Sequence, residues 1–160
     1  MRLVASGVLT VLVVLSGCGQ GVESEYRAAG RADVNNRIDQ YSSRVFDALQ
    51  VKIAPGLNEG RIPRECPAGG AGVYGLDHFW QVDYLGSAEI GLAVARLHDY
   101  LKLEGWHIDR YETPPAVPSS VVSARNPKDG YVVWAKGIQD QNRVAVQVSS
   151  PCVKVAEGGS

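Results

Sequence analysis

The chain has 160 residues, 45% hydrophobic and 21% charged, with a formal net charge of −1. That composition gives enough apolar material for one packed domain and excludes an intrinsically disordered chain. The near-neutral balance and the lack of a basic run exclude an electrostatic nucleic-acid binder and a polybasic grip on anionic lipid.

Arg2 is followed by an apolar run over residues 3–15 and then by small residues. These are the parts of a secretory signal. The run is shorter than the roughly 20 apolar residues that cross a hydrocarbon core. Its end, Leu15-Ser16-Gly17-Cys18, resembles the lipobox of bacterial lipoproteins. The resemblance implies that residues 1–17 are a signal peptide that is removed, and that the Cys18 thiol carries a diacylglycerol. It also implies lipid anchoring at the extracytoplasmic face of the cell membrane. A diacylglycerol supplies the two acyl chains that stable anchoring requires. Residues 18–25 then form the lipidated anchor and a short linker, and loss of Arg2 takes the net charge from −1 to about −2.

With Cys18 given to the lipid, Cys66 and Cys152 are left in an exported chain, where a disulfide is the expected state. Closing a loop of about 100 residues contributes about 4.7 kcal/mol in the chain-entropy account. A redox or metal role would need a Cys-x-x-Cys spacing or a second ligand nearby, and neither is present.

The first element of the domain is a helix. Val34, Ile38, Tyr41, Val45 and Ala48 or Leu49 recur at steps of four and three, while alternating charges from Arg31 to Asp47 mark a solvated face. Pro55-Gly56 ends that helix at the latest. Residues 56–72, rich in glycine and proline, predict an irregular surface loop pinned by Cys66, with Arg61 and Arg64 beside Pro63. A strand follows over 74–85, placing Leu76, His78, Trp80, Val82 and Tyr84 on one side and Asp77, Gln81 and Asp83 on the other. Ser87 is the expected N-cap of a second helix with Ile90, Ala93, Val94, Leu97 and Leu101 on one face, closed by Gly105 at C′.

Four further strands complete the pattern. Trp106, Ile108 and Arg110 alternate with His107, Asp109 and Tyr111; Asn126-Pro127-Lys128-Asp129-Gly130 joins strands over 121–125 and 131–138; and Arg143 to Val148 has a clean period of two. Pro151-Cys152 ends the last strand and 156–160 is an expected frayed tail. The sum is a single α+β domain over 26–155. The expected form is two-layered, with two helices packed on one face of a mainly antiparallel sheet of about four to five strands. The helix-Gly105-Trp106 junction, the Lys128-Asp129-Gly130-Tyr131 hairpin and Ser149-Ser150-Pro151-Cys152 resemble the body of small actinobacterial lipoproteins of uncharacterised function. That group carries over no catalytic residues.

A search for chemistry finds little local signal. His78, His98 and His107 each have an acidic neighbour within two positions (Asp77, Asp99, Asp109), but no His-x-His or His-x-x-x-His spacing makes a metal site. No Gly-x-Ser-x-Gly elbow occurs, and no Lys-Ser/Thr follows the glycines at 69, 70 and 72. Trp80, Trp106 and Trp134 all fall on expected strands, as core or as an aromatic platform for glycan, lipid or protein. The leading expectation is a monomeric, non-catalytic binding or accessory module with no metal, cofactor or catalytic residues, whose partners are the membrane lipid and an envelope protein or glycan. An envelope hydrolase is the alternative, marked by a cleft holding His78 or His107 with an acidic partner. A small-ligand sensor or carrier would show a closed apolar cavity between helices and sheet.

Overall fold

The computed structural model describes residues 26–52, 59–67, 72–114 and 119–155. The expectations for residues 1–25, Cys18 among them, and for the tail over 156–160 lie outside them. The domain is α+β, with two α-helices and a mainly antiparallel sheet. In order, the elements are β1 (Ala28–Ala29), α1 (Arg31–Leu49), β2 (Gly60–Arg64), β3 (Val73–Val82), α2 (Ser87–Leu103), β4 (His107–Glu112), β5 (Val121–Arg125), β6 (Val132–Ile138), β7 (Arg143–Ser149) and β8 (Val153–Val155). A short 3₁₀ turn, Gln139–Gln141, joins β6 to β7.

Strands run β1-β8-β3-β7-β6-β5-β4, with β2 also on β3. Among the described residues only the β1–β8 pair is parallel. The ten-residue β3 is long enough for three partners: Gly75–Phe79 meet β2, Asp77–Val82 meet β7, and Val73–Tyr74 meet β8. Between β7 and β8 the ladder is carried by Ser150. Its N–H donates to the Leu76 carbonyl and its hydroxyl accepts from the Leu76 N–H, both at 2.9 Å. The hydroxyl thus takes the place of a backbone carbonyl just before Pro151, which has no N–H to give.

Eight strands are present among the described residues, not four to five. The additions are β1, β2 and β8. β1 and β8 have two and three residues, too few to show a period. β2 occupies part of the expected loop, and four of its five residues are exposed. It pairs only with β3, and such an edge position is where a strand tolerates Pro63.

The helices meet the sheet where the sequence pattern puts them. α1 buries Val34, Ile38, Tyr41, Ser42, Val45 and Leu49 and contacts β3 and β7. α2 buries Ile90, Ala93, Val94, Leu97 and Leu101 and contacts β4, β5, β6 and β7. These faces pack with Leu76, Trp80, Val82, Val122, Ala124, Val133, Ala135, Val144, Val146 and Val148 in one core. Gly137 of β6 permits the close approach of α2, since a Cβ there would stand 2.4 Å from Ile90 Cγ2. Gly86, not Ser87, occupies the N-cap of α2, and no side chain caps it. Gly105 is left-handed as expected (φ +78). The Trp106 N–H reaches the Leu101 carbonyl at 2.9 Å and Gly105 N–H that of Lys102 at 3.1 Å, a Schellman closure that seats Trp106 in the core. Tyr84 falls off its expected strand face, at positive φ and 83% exposed.

The β5–β6 hairpin is tied to α1 by a closed polar network. Tyr41 hydroxyl donates to Asp129 Oδ2 (2.7 Å) and accepts from Asn126 Nδ2 (2.9 Å). Asn126 Oδ1 accepts from the Lys128 N–H (2.9 Å), which fixes the turn. Tyr41 also stands edge-on to Trp106, 5.1 Å between ring centres, and 5.2 Å from Tyr131. Burial first, and the Asp129 bond second, push the Tyr41 phenol far above its ordinary pKa; burial brings Tyr131 to about 12.

Candidate functional site

One turn face away from that network, α1 and β3 form the walls of a cleft of about 390 Å³. Asp39, Ser42, Ser43, Phe46 and Asp47 come from α1, His78 and Trp80 from β3, and Glu59 from just before β2. Helix spacing brings Asp39, Ser42, Ser43 and Phe46 to one flank, and the period of two in β3 turns both His78 and Trp80 toward the helix. Phe46 and Trp80 meet at 5.9 Å between ring centres.

His78, 5% exposed, is the centre of the cleft. Its Nδ1 lies 2.8 Å from Ser42 Oγ, and its Nε2 lies 3.2 Å from Glu59 Oε1. The Glu59 contact is close enough for charge attraction but is misdirected for a hydrogen bond, so Nε2 has no hydrogen-bond partner. Burial foremost, then the Arg61 guanidinium, hold the imidazole below its ordinary pKa despite Glu59 and Asp39. The ring is therefore neutral at pH 7. With a carboxylate beside Nε2, the proton is assigned to that nitrogen, and Ser42 then donates to Nδ1. Trp80, which also lines the cleft, has a second buried N–H without a hydrogen-bond partner, at Nε1. Arg61 is held at the rim by Asp39 and by Asn35 Oδ1, the latter at 3.1 Å.

Two of the three histidines meet their acidic sequence neighbour. His98 Nδ1 meets Asp99 at 2.9 Å and stacks on Tyr111, and His107 Nε2 sits 3.7 Å from Asp109. His78 does not use Asp77, which points to the other side of β3 and takes Arg64 Nε at 3.1 Å. The pairing with Ser42 and Glu59 joins positions 36 and 19 residues away, so no local motif announces it. Ser42 leaves one trace, since it falls on the apolar stripe of α1 between Ile38 and Val45. The histidines do not converge, and no group of three metal-ligating side chains occurs among the described residues.

Cys66 and Cys152 Sγ lie 2.05 Å apart, the bond expected between them. Trp80 and Trp106 are buried, whereas Trp134 lies on the opposite face of the sheet, in the register row Phe79–Gln147–Trp134–Ser123, partly exposed. No helix among the described residues is long and apolar enough to cross a membrane. No family model, curated protein or solved structure matches the chain.

Proposed function

We propose that the chain is a lipoprotein held at the extracytoplasmic face of the cell membrane by a lipid on Cys18, where its single domain serves as a non-catalytic binding module. The observation that carries this reading is the apolar N-terminus ending in Leu15-Ser16-Gly17-Cys18, in a chain whose other two cysteines are joined to each other. Signal removal before Cys18 leaves residues 18–25 as the tether. A two-layer arrangement, with both helices on one face of the sheet, leaves the Phe79–Trp134 row free on the other face, and the His78 cleft opens beside α1. An envelope protein or a glycan is the partner class that this placement suits.

Ser42, His78 and Glu59 in one cleft favour a second reading, an envelope hydrolase. The backbone argues for binding. Ser42 lies in the interior of α1, where the neighbouring backbone N–H groups are committed to the helix and do not form an oxyanion hole beside it. A serine nucleophile works from a turn that exposes both its hydroxyl and such donors.

Metabolic labelling with radioactive palmitate tests the anchor: the wild-type chain takes up label and Cys18→Ser takes up none. Label on Cys18→Ser, or none on the wild type, removes the lipoprotein assignment. A fluorophosphonate probe tests the second reading, with no adduct expected on Ser42; a Ser42 adduct abolished in His78→Gln makes the domain a hydrolase.

A further inference from the structure

We infer that the His78 cleft binds a neutral, polyhydroxylated ring, a pyranose sugar in chemical class. The inference rests on reading the domain as a binding module, and it follows from the donors and acceptors that the cleft leaves unmatched.

Two residues that line the cleft, His78 and Trp80, each 5% exposed, carry a buried ring N–H without a hydrogen-bond partner, at Nε2 and at Nε1. A buried N–H left unpaired costs free energy, so a ligand supplying an acceptor there is favoured. The rim offers the opposite: carboxylates of Asp39, Asp47 and Glu59, which accept only. A ligand that fits both must accept at the wall and donate at the rim. Hydroxyl groups do both, whereas an ammonium has no acceptor for the two N–H groups and an anion meets a rim of net negative charge, three carboxylates against the one guanidinium of Arg61. Phe46, partly exposed and backed by Trp80, adds an apolar surface for the C–H face of a ring. A hydroxyl inserted between Glu59 and His78 would accept from Nε2 and donate to the carboxylate. This replaces a contact misdirected at 3.2 Å with two directed bonds. The volume, about 390 Å³, is within the usual range for small-ligand sites.

The test uses the full chain in a polyoxyethylene detergent, which bears no sugar, titrated with glucose, N-acetylglucosamine, tetramethylammonium and inorganic phosphate. The readout is the Trp80 indole N–H signal in NMR, assigned by its loss in Trp80→Phe. One or both sugars are expected to move it in a saturable way, with the cation and phosphate inert. Trp80→Phe should weaken sugar binding about tenfold and Asp47→Asn, at an exposed position, about fivefold, both followed by calorimetry. Asp47→Asn keeps the test alive if Trp80→Phe does not fold. Silence toward both sugars, a response to tetramethylammonium or phosphate instead, or sugar binding unchanged in both variants overturns the inference. Palmitate labelling is independent of these outcomes, so the anchor and the ligand class fail separately.

Discussion

Tyr41 and Ser42 are neighbours on α1, and each carries a hydroxyl into the interior, yet the polar groups they meet are left in different states. Tyr41 closes a network in which Asn126 and Asp129 all find partners. Ser42 satisfies one nitrogen of His78 and leaves the other without a hydrogen bond, beside a second unpaired N–H on Trp80. A satisfied buried network fixes a fold; an unsatisfied one at the wall of a cleft is stability withheld from folding and left for a ligand to recover. The first region pins the β5–β6 hairpin, and the second faces solvent through half-exposed Glu59.

The largest expected effect comes from the disulfide just beyond β2, the strand whose other end follows Glu59 of the cleft. Cys152→Ser, or mild reduction, should lower unfolding free energy by about 4–5 kcal/mol, measured by urea denaturation. Because Cys66 follows β2 directly, hydrogen exchange in β2 should rise further than in the hairpin. Equal loosening of both regions would show that the disulfide does not act chiefly on the cleft side.

Tyr41→Phe comes next. It removes a bond to a carboxylate and orphans Asn126 Nδ2, so a loss of about 2–3 kcal/mol is expected. Ser42→Ala, one residue on, should cost only about 1 kcal/mol, because the network it leaves is already incomplete. Equal losses from the two variants, in the same denaturation assay, would remove the distinction between a closed and an open network.

The helices were legible in the sequence because each buries a continuous stripe, and both stripes, from Val34 to Leu49 and from Ile90 to Leu101, pack as their spacing implies. The strands from β3 to β7 announced themselves by alternation or by turn residues. β2 did not, because at an edge Gly60, Pro63 and two arginines meet no burial demand that would impose a pattern. The cleft was half legible. His78 and Trp80 share a strand face that the period of two predicts, but Ser42 and Glu59 reach them only through the packing of α1 and the path into β2. Asp77, the sequence neighbour of His78, falls on the opposite strand face as the period of two predicts, and it pairs with Arg64.

The smallest effect is a matter of pH. Glu59, Asp39 and Arg61 face His78, and burial with Arg61 outweighs the two carboxylates, so the folded-state pKa lies below the unfolded value of about 6.5. The unfolded chain therefore binds the proton first as pH falls. The stabilising contribution is whole above about pH 6.5 and is lost as pH drops through that value toward the lower folded pKa. His78→Gln, which keeps an acceptor for Ser42, should flatten this part of the stability curve between pH 7 and 5. A saturating ligand that accepts from Nε2–H binds the neutral ring, and should therefore hold that ring neutral to still lower pH. A wild-type curve no steeper than that of His78→Gln would mean that the histidine titrates alike in both states, and the cleft would lose its claim to a neutral, donating imidazole.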